Sequence, residues 1–220
     1  KVITDNDKMT KLIDINLEEK PTGEIFAGAG TGTSGSSLSF GISENNYLGE
    51  GVKLGTDVEI TTKSFEGRLF INEPNYKNSN KSFNRSFERS EDDKLSKFGY
   101  KTSKTGFSLG TYYEQYKDIY FSPNLSNYYE TIETNNLASS AKRKQDGDYL
   151  DLLLDYSINL NKLNQNFNPS DGFLFIFSQE LPLYSEEYTL INKINYTKYF
   201  QTENNLIYSL SFFSASANSL

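Results

Sequence analysis

From Gly23 onward, apolar and polar positions alternate with a period of two, interrupted by clusters of Gly, Asn, Asp, Pro and Ser. That period puts successive side chains on opposite faces of an extended chain, so it predicts a series of β-strands with two unlike faces. The clearest stretch is Asp148 to Asn161. There Leu150, Leu152, Leu154, Tyr156, Ile158 and Leu160 share one face, and Asp151, Asp155, Ser157, Asn159 and Asn161 the other. Ser36 to Ser43 sets Leu38, Phe40 and Ile42 against Ser37, Ser39 and Gly41, and Val52 to Ile60 sets Val52, Leu54, Val58 and Ile60 against Lys53, Gly55, Asp57 and Glu59. Weaker versions run through Phe65 to Ile71, Phe83 and Phe87, Thr105 to Thr111, Asp118 to Leu125, Phe173 to Gln179, Tyr188 to Tyr199 and Leu206 to Phe213. The first of the series, Gly23 to Gly30, is rich in glycine. It places Ile25, Ala27 and Ala29 opposite Glu24, Phe26, Gly28 and Gly30. The total is about eleven strands with no helix of three turns.

Upstream, Met9 to Glu18 reads as one strand ended by Pro21 and Gly23, belonging to a unit that precedes the series. The chain opens on Lys1 without a leader, which reads as a cut N-terminus. The connectors predicted after even-numbered strands are mostly short: Asn45 to Gly49, Glu73 to Tyr76, Gln115 to Lys117 and Thr202 to Asn205. Two after odd-numbered strands are long, the charged Ser90 to Phe98 and the polar run Ser126 to Gly147. Short turns on one side and long loops on the other are the asymmetry of a transmembrane β-barrel.

Composition sharpens this picture. The hydrophobic share is only 36%, low for a chain of strand-formers and suited to strands with one face toward lipid and one toward water. Aromatics are 15%, all Phe and Tyr, and many of them, including Tyr47, Tyr76, Tyr112, Tyr116, Tyr129, Tyr184 and Phe200, fall beside predicted turns, as interfacial girdles require. A net charge of −7 argues against a nucleic-acid partner, since Lys142 to Lys144 is the one basic cluster. With no His a Ser-His-Asp triad cannot be assembled, and with no Cys there is neither disulfide nor thiolate chemistry. Asp151 and Asp155 are regularly spaced inward carboxylates and read as solvated. Neither an enzyme activity, nor a cofactor, nor a metal site is expected. The residues also speak against two other all-β designs. A fluorescent-protein can needs a Tyr-Gly pair that is absent, and a soluble sandwich needs more apolar residues on inward faces than these strands supply.

Four short stretches exceed general strand patterning: Glu19-Lys20-Pro21-Thr22-Gly23 before the glycine-rich strand, Asn46-Tyr47-Leu48-Gly49-Glu50-Gly51, Asn72-Glu73-Pro74-Asn75-Tyr76, and Phe167-Asn168-Pro169-Ser170-Asp171-Gly172. Singly, each is an ordinary turn that supplies Gly or Pro-x-Asp-Gly where a hairpin needs it. In this order and spacing they resemble the barrel of the Omp85 superfamily, most closely its BamA-type assembly factors. Composition and periodicity by themselves support only a barrel-like all-β protein.

The resemblance implies an antiparallel transmembrane β-barrel, of which about eleven of an expected sixteen meander strands are present, an even full count as in bacterial barrels. Residues 1–20 would be the last strand of a periplasmic POTRA domain, and 21–220 the N-terminal part of the barrel in the bacterial outer membrane. The implied function is assembly of client β-barrel proteins, with outer-membrane lipid and assembly-complex lipoproteins as further partners. Client strands would pair at a lateral seam formed by Gly23, Glu24, Ile25, Phe26, Ala27, Gly28, Ala29 and Gly30. From the residues alone, Gly28 and Gly30 fit two roles, weakening a pairing edge or relieving crowding where a barrel curves. The charged inward positions Lys53, Asp57, Glu59, Glu66 and Arg68 also permit the alternative, a polypeptide-secreting or porin-like channel.

Overall fold

The computed structural model describes residues 2–5, 10–13, 15, 18, 20–32, 35–186 and 188–219. Two short strands, β1 (Val2–Asp5) and β2 (Thr10–Ile13), form an antiparallel pair of their own, with Val2 opposite Ile13 and Asp5 opposite Thr10. The single strand expected over Met9 to Glu18 is thus the second arm of a hairpin. Of its remaining positions, 9, 14, 16 and 17 lie outside the described residues, and Ile15 and Glu18 belong to no strand. Val2 to Asp5 is too short to show a period, which is why the sequence pattern passes over it.

Eleven strands then follow as one antiparallel meander: β3 (Gly23–Gly32), β4 (Gly35–Tyr47), β5 (Val52–Thr61), β6 (Ser64–Glu73), β7 (Lys81–Lys94), β8 (Tyr100–Tyr116), β9 (Ile119–Thr134), β10 (Gly147–Asn161), β11 (Gly172–Tyr184), β12 (Thr189–Gln201) and β13 (Ile207–Ser219). Each strand pairs with its neighbours in sequence, so β3 and β13 are the sheet's two edges. All eleven predicted strands are present. Among the described residues helix is confined to connectors, with one turn at Leu95–Phe98 and one at Ser140–Arg143 besides a 3-10 turn at Tyr76–Asn78.

Two predicted loops are corrected. The charged connector starting at Ser90 begins only after Lys94, and the polar run starting at Ser126 begins only after Thr134. In both places apolar and polar residues do not alternate between the faces, so the period-two signal vanishes while the main-chain ladder continues, helped by pairs such as Lys101 Nζ with Glu91 at 2.8 Å. The expected length asymmetry is lost with them. Connectors 33–34, 62–63, 95–99, 135–146 and 185–188 at one end are no longer as a group than 48–51, 74–80, 117–118, 162–171 and 202–206 at the other.

The register fixes the two faces. Asp57, Arg68, Glu88, Gly106, Tyr128 and Asp151 are successive cross-strand partners on the polar side. Leu109, Leu125, Leu154 and Leu181 are successive partners on the apolar side. The apolar side is open to its surroundings: Ile25 is 72% exposed, Leu38 62% and Leu69 53%, while Ile132 and Ala138 are the buried hydrophobic residues among those described. A water-soluble sheet would cover such a face; lipid is the solvent it fits. Tyr47, Tyr116, Tyr184 and Phe200, all exposed, sit at strand ends as a girdle demands, with Phe200 stacked on Tyr208 at 5.5 Å.

Candidate strand-pairing seam

The glycine-rich strand expected over Gly23 to Gly30 is β3, and it lies at the sheet's edge, hydrogen-bonded to β4 alone. All ten of its residues are exposed. In an antiparallel pair alternate residues aim their N–H and C=O groups away from the partner, so a second row of β3 donors and acceptors points to the side opposite β4. Ile25, Ala27 and Ala29 face the apolar side opposite Ile42, Phe40 and Leu38. Glu24, Phe26, Gly28 and Gly30 face the interior opposite Ser43, Gly41, Ser39 and Ser37.

The foot of β3 is tied down and its upper part is not. The Asn45 amide nitrogen and Nδ2 both donate to the Thr22 carbonyl, at 3.3 and 2.9 Å, and the Thr22 hydroxyl donates to Glu44. Beside this foot, Ile25, Ile42, Leu54 and Leu69 line an apolar groove on the lipid-facing side. Neither Gly28 nor Gly30 has a positive φ, so no backbone conformation demands glycine there. A Cβ on Gly28 would stand 2.7 Å from Ser39 Oγ, and one on Gly30 would stand 3.2 Å from Ser37 Oγ. Those hydroxyls can rotate, so crowding is mild. Gly41 is different: a Cβ there would lie 1.9 Å from Cε1 of Phe26, whose ring covers it.

The interior face collects the charges that the sequence pattern places inward. Asp57, Glu59, Glu66 and Arg68 line one cavity of about 490 Å³, together with Phe26 of the seam strand and with Glu88 and Lys104, two residues that the pattern did not single out. Lys53 and Arg68 both approach the Phe70 ring, at 5.9 and 5.7 Å from its centroid. Lys104 Nζ stands 3.8 Å from the centroid of Tyr128. Asp151 and Asp155 serve separate hydrogen bonds rather than forming a pair: Ser185 Oγ donates to Asp151 at 2.7 Å, whereas Asn124 Nδ2 and Ser126 Oγ donate to Asp155 at 3.2 and 3.4 Å. Among the described residues no group of three or more metal-ligating side chains converges.

Comparison with curated proteins gives no significant match. Among solved structures, the crystal structure of BamA from Haemophilus ducreyi lacking POTRA domains 1–3 superposes with a TM-score of 0.75 at 22% identity. The alignment covers 92% of this chain and 42% of that one, so the present chain spans less than half of the relative's length. At that identity the likeness speaks for the fold. The Omp85 superfamily domain matches residues 46–218, beginning where β4 ends. With that match over most of its length, the chain belongs to the Omp85 superfamily and is a β-barrel protein of the bacterial outer membrane.

Proposed function

We propose that this protein inserts other β-barrel proteins into the outer membrane, and that β3 is the strand along which an incoming client strand first pairs. The observation that carries the reading is the make-up of β3: over Ala27, Gly28, Ala29 and Gly30 its hold on β4 is the main-chain ladder with two methyl groups and no larger side chain. Pairing of this kind is β-augmentation. Main-chain hydrogen bonds supply the affinity, and the small side chains of Ala27, Gly28, Ala29 and Gly30 set little sequence preference, which suits an acceptor of many clients. In this reading residues 1–20 are the end of a POTRA domain in the periplasm, and assembly lipoproteins and outer-membrane lipid complete the surroundings.

The test is to replace Gly28 or Ala29 by Pro in the protein as its gene encodes it. Pro removes an N–H and blocks pairing at that point. Client barrels should then accumulate unfolded while the altered protein itself still inserts; unimpaired client assembly in a variant that inserts normally would overturn the reading. The charged interior cavity favours a second reading, a polypeptide-secreting or porin-like channel. Planar-bilayer conductance separates the two: large, steady pores would favour the channel, and small, fluctuating ones the assembly factor.

A further inference from the structure

The register of β3 has to be set by something other than its own sequence pattern. Glycine-rich strands specify register weakly, because they offer little that differs from one alignment to the next. Across from β3, the interior-facing positions of β4 are Ser37, Ser39, Gly41 and Ser43, three near-identical serines and one glycine. The turn does not decide either. Gly32 and Gly35 flank the connection, Gly35 with φ of +108°, and either glycine can supply the unusual backbone that a shifted two-residue turn would need.

One contact does discriminate. The Phe26 ring lies flat across Gly41, with Cε1, Cζ and Cδ1 at 1.9, 2.5 and 2.7 Å from where a Cβ would be. Gly41 is the one position between Ser37 and Ser43 on that face of β4 without a side chain. A slip of two residues would bring the ring over Ser39 or Ser43, each of which has the Cβ that the native contact cannot tolerate. A slip of one would turn Phe26 out of the interior altogether. The same device recurs deeper in the sheet, where Phe70 covers Gly55 and Tyr128 covers Gly106, so it belongs to the way this sheet is aligned.

We infer that Phe26 is the positioning residue that sets the register of β3 through Gly41, and that this register determines which main-chain groups of β3 are offered at the seam. The second half rests on the proposed pairing role; the first does not. A two-residue slip would move the offered row along the strand by about 7 Å, enough to displace every hydrogen bond to an incoming strand.

The chain has no cysteine, so register can be read by disulfide trapping in the membrane-inserted, full protein. Ala27→Cys with Phe40→Cys reports the native alignment, in which those residues are directly opposite. Ala29→Cys with Phe40→Cys reports one two-residue slip, and Ala27→Cys with Leu38→Cys the other. The ratio of slipped to native crosslink should rise about two- to fivefold in Phe26→Ala and in Gly41→Ala, the change expected for losing one aromatic cross-strand contact. It should stay at the parental level in Phe26→Tyr, which keeps the ring. Heat-modifiable migration in gels identifies the folded fraction from which each ratio is taken. An unchanged ratio in folded Phe26→Ala and Gly41→Ala would overturn the inference, whatever happens to client assembly. A raised ratio with normal client assembly would support the register role and instead overturn the seam.

Discussion

The edge at β3 and the wall formed by β7 to β10 are built from the same meander but held together differently. Strand β3 is ten residues long, wholly exposed, and anchored at its foot. Strands β8, β9 and β10 run for 17, 16 and 15 residues, and rings pack along their lipid-facing side from Tyr113 to Phe121, Tyr156 and Phe177 at centroid distances of 5.9, 6.1 and 6.3 Å. Above the wall two connectors interlock. The Asn135 amide donates to the Gly99 carbonyl at 2.8 Å, Asn135 Nδ2 donates to the Leu95 carbonyl at 3.1 Å, and Ala138 is buried against Gly99. A strand that exchanges partners, as proposed for β3, has to be separable without unfolding its support. The contrast places the local stability in the wall and leaves the edge pliable.

That contrast is most easily broken at Gly99. Its φ of +77° is a left-handed conformation, and a Cβ would sit 2.1 Å from the Ala138 nitrogen, main chain that cannot swing aside. Gly99→Val should lower barrel stability by about 2–4 kcal/mol, seen as a lower denaturation midpoint in detergent. Gly28→Ala faces only a rotatable hydroxyl and has an ordinary φ, so its effect should stay within about 1 kcal/mol. If Gly28→Ala were as damaging as Gly99→Val, the division into pliable edge and rigid wall would fail.

A smaller effect is expected from Asp146, whose carboxylate accepts from both the amide and the hydroxyl of Thr134 at 2.7 Å and closes the 135–146 connector onto the top of β9. Asp146→Ala should cost about 0.5–1.5 kcal/mol and make this connector a faster site of limited proteolysis, while disulfide trapping between β3 and β4 stays unchanged. Faster cleavage accompanied by altered β3 trapping would show that the wall and the edge are coupled rather than independent.

The sequence pattern carried the strands well because each spans a stretch where lipid meets one face and water the other, as at Leu150 to Leu160. It failed where that difference in solvent ends. From Ser90 to Lys94 both faces are polar, and from Ser126 to Thr134 the apolar residues Tyr128, Tyr129 and Ile132 fall on both faces without alternation, yet pairing continues, because a ladder needs only a neighbour and not an apolar face. For the seam, periodicity identified the strand and its two faces, and the glycine content suggested weak packing. What it does not contain is which glycine accepts which ring. Gly41 looks like Gly28 in sequence, and only the cross-strand register reveals that Phe26 covers the first while the second meets a serine. Likewise Lys104 and Tyr128 stand 24 residues apart, and their contact follows from the β8–β9 register alone.

The smallest expected effect concerns the opposite end of the wall. Asp118, in the turn between β8 and β9, is tied by Lys162 Nζ at 2.5 Å to the connector that follows β10, and its carbonyl accepts from the Asn161 amide at 2.9 Å. The hydrogen bond from Lys162, reinforced by the charges of Lys162 and Lys117 and opposed by desolvation, holds the carboxyl below its usual range. Because the folded-state value is depressed, the stabilisation is present above the unfolded-state value of about 3.9 and is lost as pH falls through the folded value. Asp118→Asn should therefore lower the denaturation midpoint slightly near neutral pH, and the difference from the parent should vanish once acidification has passed the depressed folded-state value. Asn is the appropriate replacement because position 118 has φ of +65°, a conformation that Asn shares with Asp. The ion pair is exposed, so the difference should also shrink in high salt. A difference that persisted at low pH would assign the effect to the turn's backbone instead of to the charge, and the base of the wall would then owe its closure to the Asn161–Asp118 hydrogen bond alone.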